Sequence, residues 1–248
     1  MAAEWESEGL VIGAQVYGES GLILDVLTRE RGRRRGFVHG GTSRKKRALF
    51  EIGASLQLSW RARVEDQLGR FDTTEPIALR AAGLIDAPAA LLALSSVTAL
   101  LRDALPENQA LPGQYEAAEL VLEALTDETI WPALYVRWEA GLLAGLGYGM
   151  DLKRCAVTGD TAGLAFVSPR TGRAVTHEGA GDYADKLLSL PAFLVDASAE
   201  PDASAIAAGL RLTGFFLERR LFADTHRAAP DARTRLIDKM RKAGLCAA

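Results

Sequence analysis

The period of the apolar residues changes once along this chain, near Pro76, and that change restricts the fold more than any other feature. Upstream, Ala54 to Val64 alternates strictly: Leu56, Leu58, Trp60, Ala62 and Val64 are interleaved with Gln57, Ser59, Arg61 and Arg63. A period of two gives a strand with one buried and one polar face. Gly9–Tyr17 and Leu22–Thr28 are further β-rich runs, separated by a turn at Gly18-Glu19-Ser20-Gly21. Arg35–Gly40 and Leu68–Thr74 complete five short strands punctuated by glycine. Five strands within about 75 residues predict a small closed barrel, an OB-fold or an SH3-like one.

Downstream the spacing becomes helical. Ala87–Leu105, Gln114–Leu125, Thr129–Leu146, Ala203–Phe222 and Asp231–Lys242 each carry apolar residues at three- and four-residue intervals. Pro132 falls in a first turn, where a missing N–H costs nothing, and Gly145, Gly147 and Gly244 mark helix ends. Residues 151–194 are rich in Gly, Thr and Asp and read as a loop-rich insert. The fold class is therefore α+β and multidomain: a five-stranded barrel over residues 1–80, then an all-α domain over 81–248.

Charge is distributed as unevenly as periodicity. Between Arg29 and Arg47, nine Lys or Arg residues stand against one acid, Glu30, in a chain of net charge −3. The two bursts, Arg29 to Arg35 and Arg44-Lys45-Lys46-Arg47, read as loops flanking the strand Arg35–Gly40. Self-repelling charge of this density suits a phosphate backbone, and a solvated loop is the alternative. Phe37 is expected in the barrel core, with a stacking platform for bases as the other reading. Thr42, Ser43 and the Gly40-Gly41 backbone offer donors to phosphate. Arg61 and Arg63 either extend this basic patch or form a salt-bridged exposed face. Trp131, Tyr135 and Trp138 fall on one helical stripe, expected in the core, with a partner groove beside Arg137 as the alternative.

Catalysis is not expected. The histidines, His39, His177 and His226, lie in separate regions, and no HExxH, GxSxG or phosphate-loop motif is present. Cys155 opens a stretch like the first half of a CxxCG zinc knuckle, with Thr158 in the second ligand place. One thiol and a stray His177 cannot supply four ligands, so neither zinc nor another cofactor is expected, and Cys155 is expected to be a small buried residue. The acidic first residues are unlike a secretory signal, no run reaches the ~20 apolar residues of a membrane span, and the two cysteines lie far apart. A cytoplasmic protein that does not engage membranes is the expectation.

Three runs in order then suggest a family: Val16-Tyr17-Gly18-Glu19-Ser20, Leu27-Thr28-Arg29-Glu30-Arg31-Gly32, and Gly36-Phe37-Val38-His39-Gly40-Gly41 followed by Ser43-Arg44. With Leu142 to Gly149 leading into Asp151-Leu152 and Cys155, the chain resembles the bacterial RecO family of recombination mediators over essentially its whole length. The resemblance implies an OB-fold, a helical domain and, in this chain, a degenerate zinc knuckle as the insert. It implies binding of single- and double-stranded DNA, strand annealing, and help in loading RecA at gaps coated with single-stranded DNA-binding protein. RecR and the C-terminal tail of the single-stranded DNA-binding protein are the implied protein partners, and the nucleoid is the implied site of action. DNA binding falls by resemblance on Arg33, Arg34, Arg35, Arg44, Lys45, Lys46 and Arg47, with Arg61 and Arg63 added from the strand face. Arg137, Trp138 and Arg219 are the candidates for the acidic tail, which needs an apolar pocket and a cation. An RNA-binding module and a protein-only scaffold are the competing readings.

Overall fold

Strand β1 (Ala3–Tyr17) is long enough to serve two neighbours in turn, and this closes the barrel. Its first half pairs antiparallel with β4 (Ser55–Ala62), and its second half with β2 (Gly21–Thr28). A register shift between Val11 and Gly13 marks the bend. β2 pairs with β3 (Gly32–Val38), which meets β5 (Gly69–Ala78) in parallel at Gly36–Gly69 and Phe37–Arg70, and β5 returns to β4. The order β1-β2-β3-β5-β4, closed on β1, has the size and connectivity of an OB-fold. The computed structural model describes residues 3–44, 46–64 and 67–247.

Alternation places Leu22, Leu24 and Val26, then Leu56, Leu58 and Trp60, inside the barrel. Trp5 stacks on Trp60, ring centroids 5.1 Å apart, and meets Phe71 edge-on. These rings fit only because the closing strands are glycine where they touch. A Cβ at Gly69 would fall 2.0 Å from the Trp60 ring, and one at Gly36 would fall 2.6 Å from Phe71. The Trp60 indole N–H donates to the Arg35 carbonyl at 3.2 Å, so its one polar atom is satisfied inside the barrel wall.

By its packing the chain divides into two units. The first runs to Thr126, with Pro230–Arg233, and so takes in α1 (Pro88–Ala104) and α2 (Gln114–Ala124) as well as the barrel. Within it, Arg80 donates to the Glu119 carboxylate at 2.7 Å, to Ser55 at 2.7 Å and to the Gly53 carbonyl at 3.1 Å, tying α2 to the start of β4.

The second unit holds α3 (Trp131–Gly145), α5 (Ala203–Phe216) and most of α6 (Asp231–Ala243). Trp131, Tyr135 and Trp138 are buried, as the stripe predicts. The predicted helix 203–222 changes to π-helical winding at Leu217–Phe222. The insert departs from its expected irregularity. It folds as a three-stranded sheet of β6 (Leu164–Val167), β7 (Ala174–Thr176) and β8 (Leu188–Ser189), with one turn of helix, α4 (His177–Ala180), after β7. Strands of two to four residues are too short to display a period, which hid them in the sequence. Among the described residues no helix is long and apolar enough to cross a membrane.

Candidate nucleic-acid interface

The first basic burst is built into a strand instead of flanking one. β3 begins at Gly32, so Arg33, Arg34 and Arg35 alternate between its faces. Arg33 turns to the outer face, where it donates from Nε and Nη2 to Asp25 of β2, the shortest contact being 2.6 Å. Both side chains are only 12% and 11% exposed. Burial opposes the charge on Arg33, but the Asp25 hydrogen bonds and its negative charge outweigh this and hold the guanidinium above its ordinary pKa. Its Nη1 also donates to the Leu105 carbonyl at 3.0 Å. Arg34 turns inward, is 6% exposed and donates to Asn108 at 3.0 Å. Arg29 bridges Glu8 and Glu116 and lies over the Tyr115 ring. Arg33 and Arg34, expected on the DNA-binding surface, are therefore committed to internal partners. The strand begins three residues earlier than expected, at Gly32 instead of Arg35, and so takes all three arginines into its alternation.

Arg35 and Phe37 share the outer face further along β3. Phe37 is absent from the barrel core, contrary to the expectation, because β3 places it opposite in phase to the buried Gly36 and Val38. Its ring lies across Gly21, where a Cβ would sit 2.3 Å away, and meets Tyr17 and His39 edge-on at 6.1 and 6.3 Å. Tyr17 is 62% exposed. Beside this cluster an open groove of about 600 Å³ is lined by Phe37, Arg61, Arg63, Leu68 and Arg70, among others. Arg61 and Arg70 share Asp72, at 2.6 and 2.9 Å, and Glu4 of β1 lies opposite Arg61 in the strand pair. Both readings of Arg61 thus hold together: it is salt-bridged and it belongs to a basic patch.

The second basic burst lies in the connection from β3 to β4. Arg44, Lys46 and Arg47 are exposed, and Lys45 lies outside the described residues. Within this connection Thr42 N–H donates to Ser20 O, and Ser43 N–H to Gly40 O. These contacts fasten the connection to the β1–β2 turn and leave the side chains as its outward polar groups. Arg70 and Tyr17 were missed by sequence reasoning. Each sits in a strand already expected, but only the parallel β3–β5 pairing sets Arg70 against Phe37.

In OB-folds the face of strands two and three, with the loops joining strands one to two and four to five, is where oligonucleotides bind. The groove and its aromatic rim occupy that region. The model of the recombination protein O N-terminal domain matches residues 1–80, and that of its C-terminal domain matches residues 86–228. The chain belongs to the RecO family. The DNA repair protein RecO of Hyphomonas neptunium is 55% identical over 237 residues, 95% of this chain and 98% of its own length. Those of Caulobacter sp. strain K31 and Rhodospirillum centenum are 44% and 45% identical, over 97% of this chain and 99% and 96% of their own lengths.

The insert of this RecO chain gathers several groups around a single sulfur. Cys155 Sγ, 2% exposed, accepts from the N–H groups of Val157, Thr158 and Thr176 at 3.3–3.4 Å and lies 3.5 Å from Thr176 Oγ1. A Cβ at Gly179 would be 3.0 Å from the same sulfur. Thr158, Thr176 and Gly179 thus surround Cys155 at two Cys-x-x-Cys spacings. Burial disfavours the thiolate, but the hydrogen bonds from Thr158 and Thr176 outweigh it and lower the thiol to about 6. One sulfur, two hydroxyls and a glycine do not form a tetrahedral zinc donor set. Among the described residues no three His, Cys, Asp or Glu side chains converge.

The partner candidates in the second unit part company. Arg137 lies over the Phe193 ring and donates to the Phe193 carbonyl at 3.1 Å. Trp138, 4% exposed, packs beside Tyr135 in the core and presents no ring to a partner. Arg219 is exposed on the π-helical turn.

Proposed function

We propose that this RecO-family chain is a non-catalytic mediator of recombinational DNA repair whose barrel holds single- and double-stranded DNA by its outer face. The observation that carries this reading is the groove where Phe37 meets Arg61, Arg63 and Arg70. Cations beside a partly exposed ring hold a strand by its phosphates and stack an unpaired base, without reading sequence. Arg35, Arg44, Lys46 and Arg47 extend the surface, and Lys45 belongs to the same run. The relatives' shared name, DNA repair protein, supports a function in DNA repair and recombination.

Annealing then needs no covalent step. Two strands repel through their phosphates, and a cationic face that neutralises both raises their local concentration. Neutralising about five phosphates of a single strand gives a log–log salt slope of about −3.5. The strands delivered this way would be those coated by single-stranded DNA-binding protein, with RecR as partner and RecA loading as the outcome, in the cytoplasm at the nucleoid. No metal or other cofactor enters this scheme. Arg137 and Arg219 remain the candidates for the acidic tail of the single-stranded DNA-binding protein.

The test is annealing of complementary strands precoated with the cognate single-stranded DNA-binding protein, comparing wild type with Lys46→Glu/Arg47→Glu/Arg63→Glu/Arg70→Glu. The wild type is expected to anneal and the variant to lose annealing and DNA binding while retaining its melting temperature. Unchanged DNA binding by the folded variant refutes the assignment. Displacement of DNA by RNA or by an acidic peptide at equal concentration would favour the RNA-binding or scaffold readings.

A further inference from the structure

A second concavity, of about 350 Å³, lies on the barrel's outer face and reaches α1. Its lining includes Gln15, Asp25, Arg33, Arg35 and Arg102. Arg35 stands two residues from Phe37 on the same face of β3, about 6.6 Å along the strand. Arg102 comes from the last turn of α1 and is laid on the sheet by Gly13, whose missing Cβ would sit 3.4 Å from Arg102 Cδ.

The charges in this pocket are unequal in freedom. Arg33 is neutralised by Asp25 in a nearly buried pair. Arg102 is 40% exposed and pairs with its own neighbour, Asp103, at 2.9 Å, a contact that solvent screens. Arg35 is 38% exposed and reaches Glu107 at 3.6 Å. Glu107 also lies 3.7 Å from Arg33. The backbone holds it there: Asn108 N–H donates to the Arg33 carbonyl at 2.9 Å, and Gly32 lets Gln109 approach so closely that a Cβ would fall 1.9 Å from its carbonyl oxygen. A carboxylate is thus fixed at the rim beside two guanidinium groups that face a cavity.

We propose that this pocket is a further phosphate seat, with Arg35 and Arg102 as its binding residues and Glu107 as its resident competitor, so that a single strand leaving the Phe37 groove continues onto α1. The seat rests on the reading of the barrel as a DNA-binding surface. An incoming phosphate displaces the Glu107 carboxylate from Arg35, and an unstacked strand follows the step from Phe37 to Arg35 between neighbouring nucleotides. Nucleic acid is favoured over an acidic peptide because the seat continues the face that carries the stacking ring.

The experiment is fluorescence anisotropy of a labelled oligothymidine with the full chain at several salt concentrations, using Arg102→Ala, Glu107→Gln and the groove variant Arg61→Ala/Arg63→Ala/Arg70→Ala. Arg102→Ala is expected to weaken binding about three- to tenfold and to flatten the salt slope by about 0.7, the loss of one phosphate contact. Glu107→Gln is expected to tighten binding about two- to fivefold by removing the competitor. Both side chains are partly exposed, and melting curves of both variants should match wild type. If both bind as wild type does while the groove variant is weakened, the seat is refuted and the barrel reading stands. If the groove variant binds as wild type does, the barrel reading falls and the seat with it. An acidic, carboxylate-ended peptide that binds wild type but not Arg102→Ala, with oligothymidine affinity the same for both, also overturns the proposal.

Discussion

Phe37→Ala separates stacking from charge. The ring lies outside the barrel core, across the Gly21 backbone and edge-on to Tyr17 and His39. Its removal opens no cavity inside, so the folding cost should be about 1 kcal/mol, against about 3–5 kcal/mol for a core phenylalanine. A base stacked on an aromatic side chain contributes about 1–3 kcal/mol, so affinity for oligothymidine should fall about 5- to 150-fold. No cation is removed, and the salt slope should therefore stay at its wild-type value. Duplex DNA, whose bases are already stacked, should lose less than threefold, on the order of a weak contact. Anisotropy titrations of single-stranded and duplex probes over a range of salt, with a melting curve as control, measure all four quantities. Equal losses for the two probes, or a flattened slope, would refute the stacking argument, and an unchanged single-strand affinity would remove Phe37 from the interface.

Asp25→Asn should destabilise the fold by about 3 kcal/mol because it takes from nearly buried Arg33 its closest counter-charge, whereas Glu8→Gln, at an ion pair with exposed Arg29, should cost less than about 1 kcal/mol; urea denaturation compares the two. The Cys155 thiol is lowered from 9.0 to about 6 on folding, so the folded state binds fewer protons and stability should rise with pH between these values. That contribution is lost as pH falls through about 6, and Cys155→Ala should flatten the melting temperature against pH over this window. Thr158→Cys/Thr176→Cys/Gly179→Cys should bind one zinc per chain with a rise in melting temperature, since Thr176 Oγ1 already lies 3.5 Å from Cys155 Sγ, near the about 3.8 Å between sulfurs of a tetrahedral site; metal analysis of the purified variant decides this.

The barrel was legible because alternation in β4 and the glycine turns are local signals, and the helices because their apolar stripes are long. Trp131, Tyr135 and Trp138 could be assigned to the core from spacing alone. The faces of β3 were less legible. Self-repulsion among three consecutive arginines suggests a loop until Asp25, Asn108 and Glu107 are brought to them, and those partners are eight to seventy-four residues away. Gly36 and Gly69 were equally opaque. Each looked like punctuation, and each is required by a ring on a different strand. The groove depended on the parallel β3–β5 contact, which no periodicity encodes, and so Arg70 escaped notice while Arg61 and Arg63 did not. The insert concealed its sheet for want of length; Cys155 and Thr158 were legible as half of a knuckle-like spacing, but Thr176 and Gly179 carry no thiol to mark the other half.

Arg33, Arg34 and Gly32 bind the connection after α1 to β3, and Arg80 binds α2 to the start of β4. The consequence concerns how such a barrel can be cut, transplanted or inherited. A fragment ending near residue 80 would keep every strand yet strip Arg80 of Glu119 and leave Arg34 without Asn108, Arg33 without Leu105 and Gly32 facing solvent. The portable unit is therefore the barrel with two helices, running to Thr126 and completed by Pro230–Arg233, and a gene fusion or crossover that respects the strands alone should deliver a destabilised barrel.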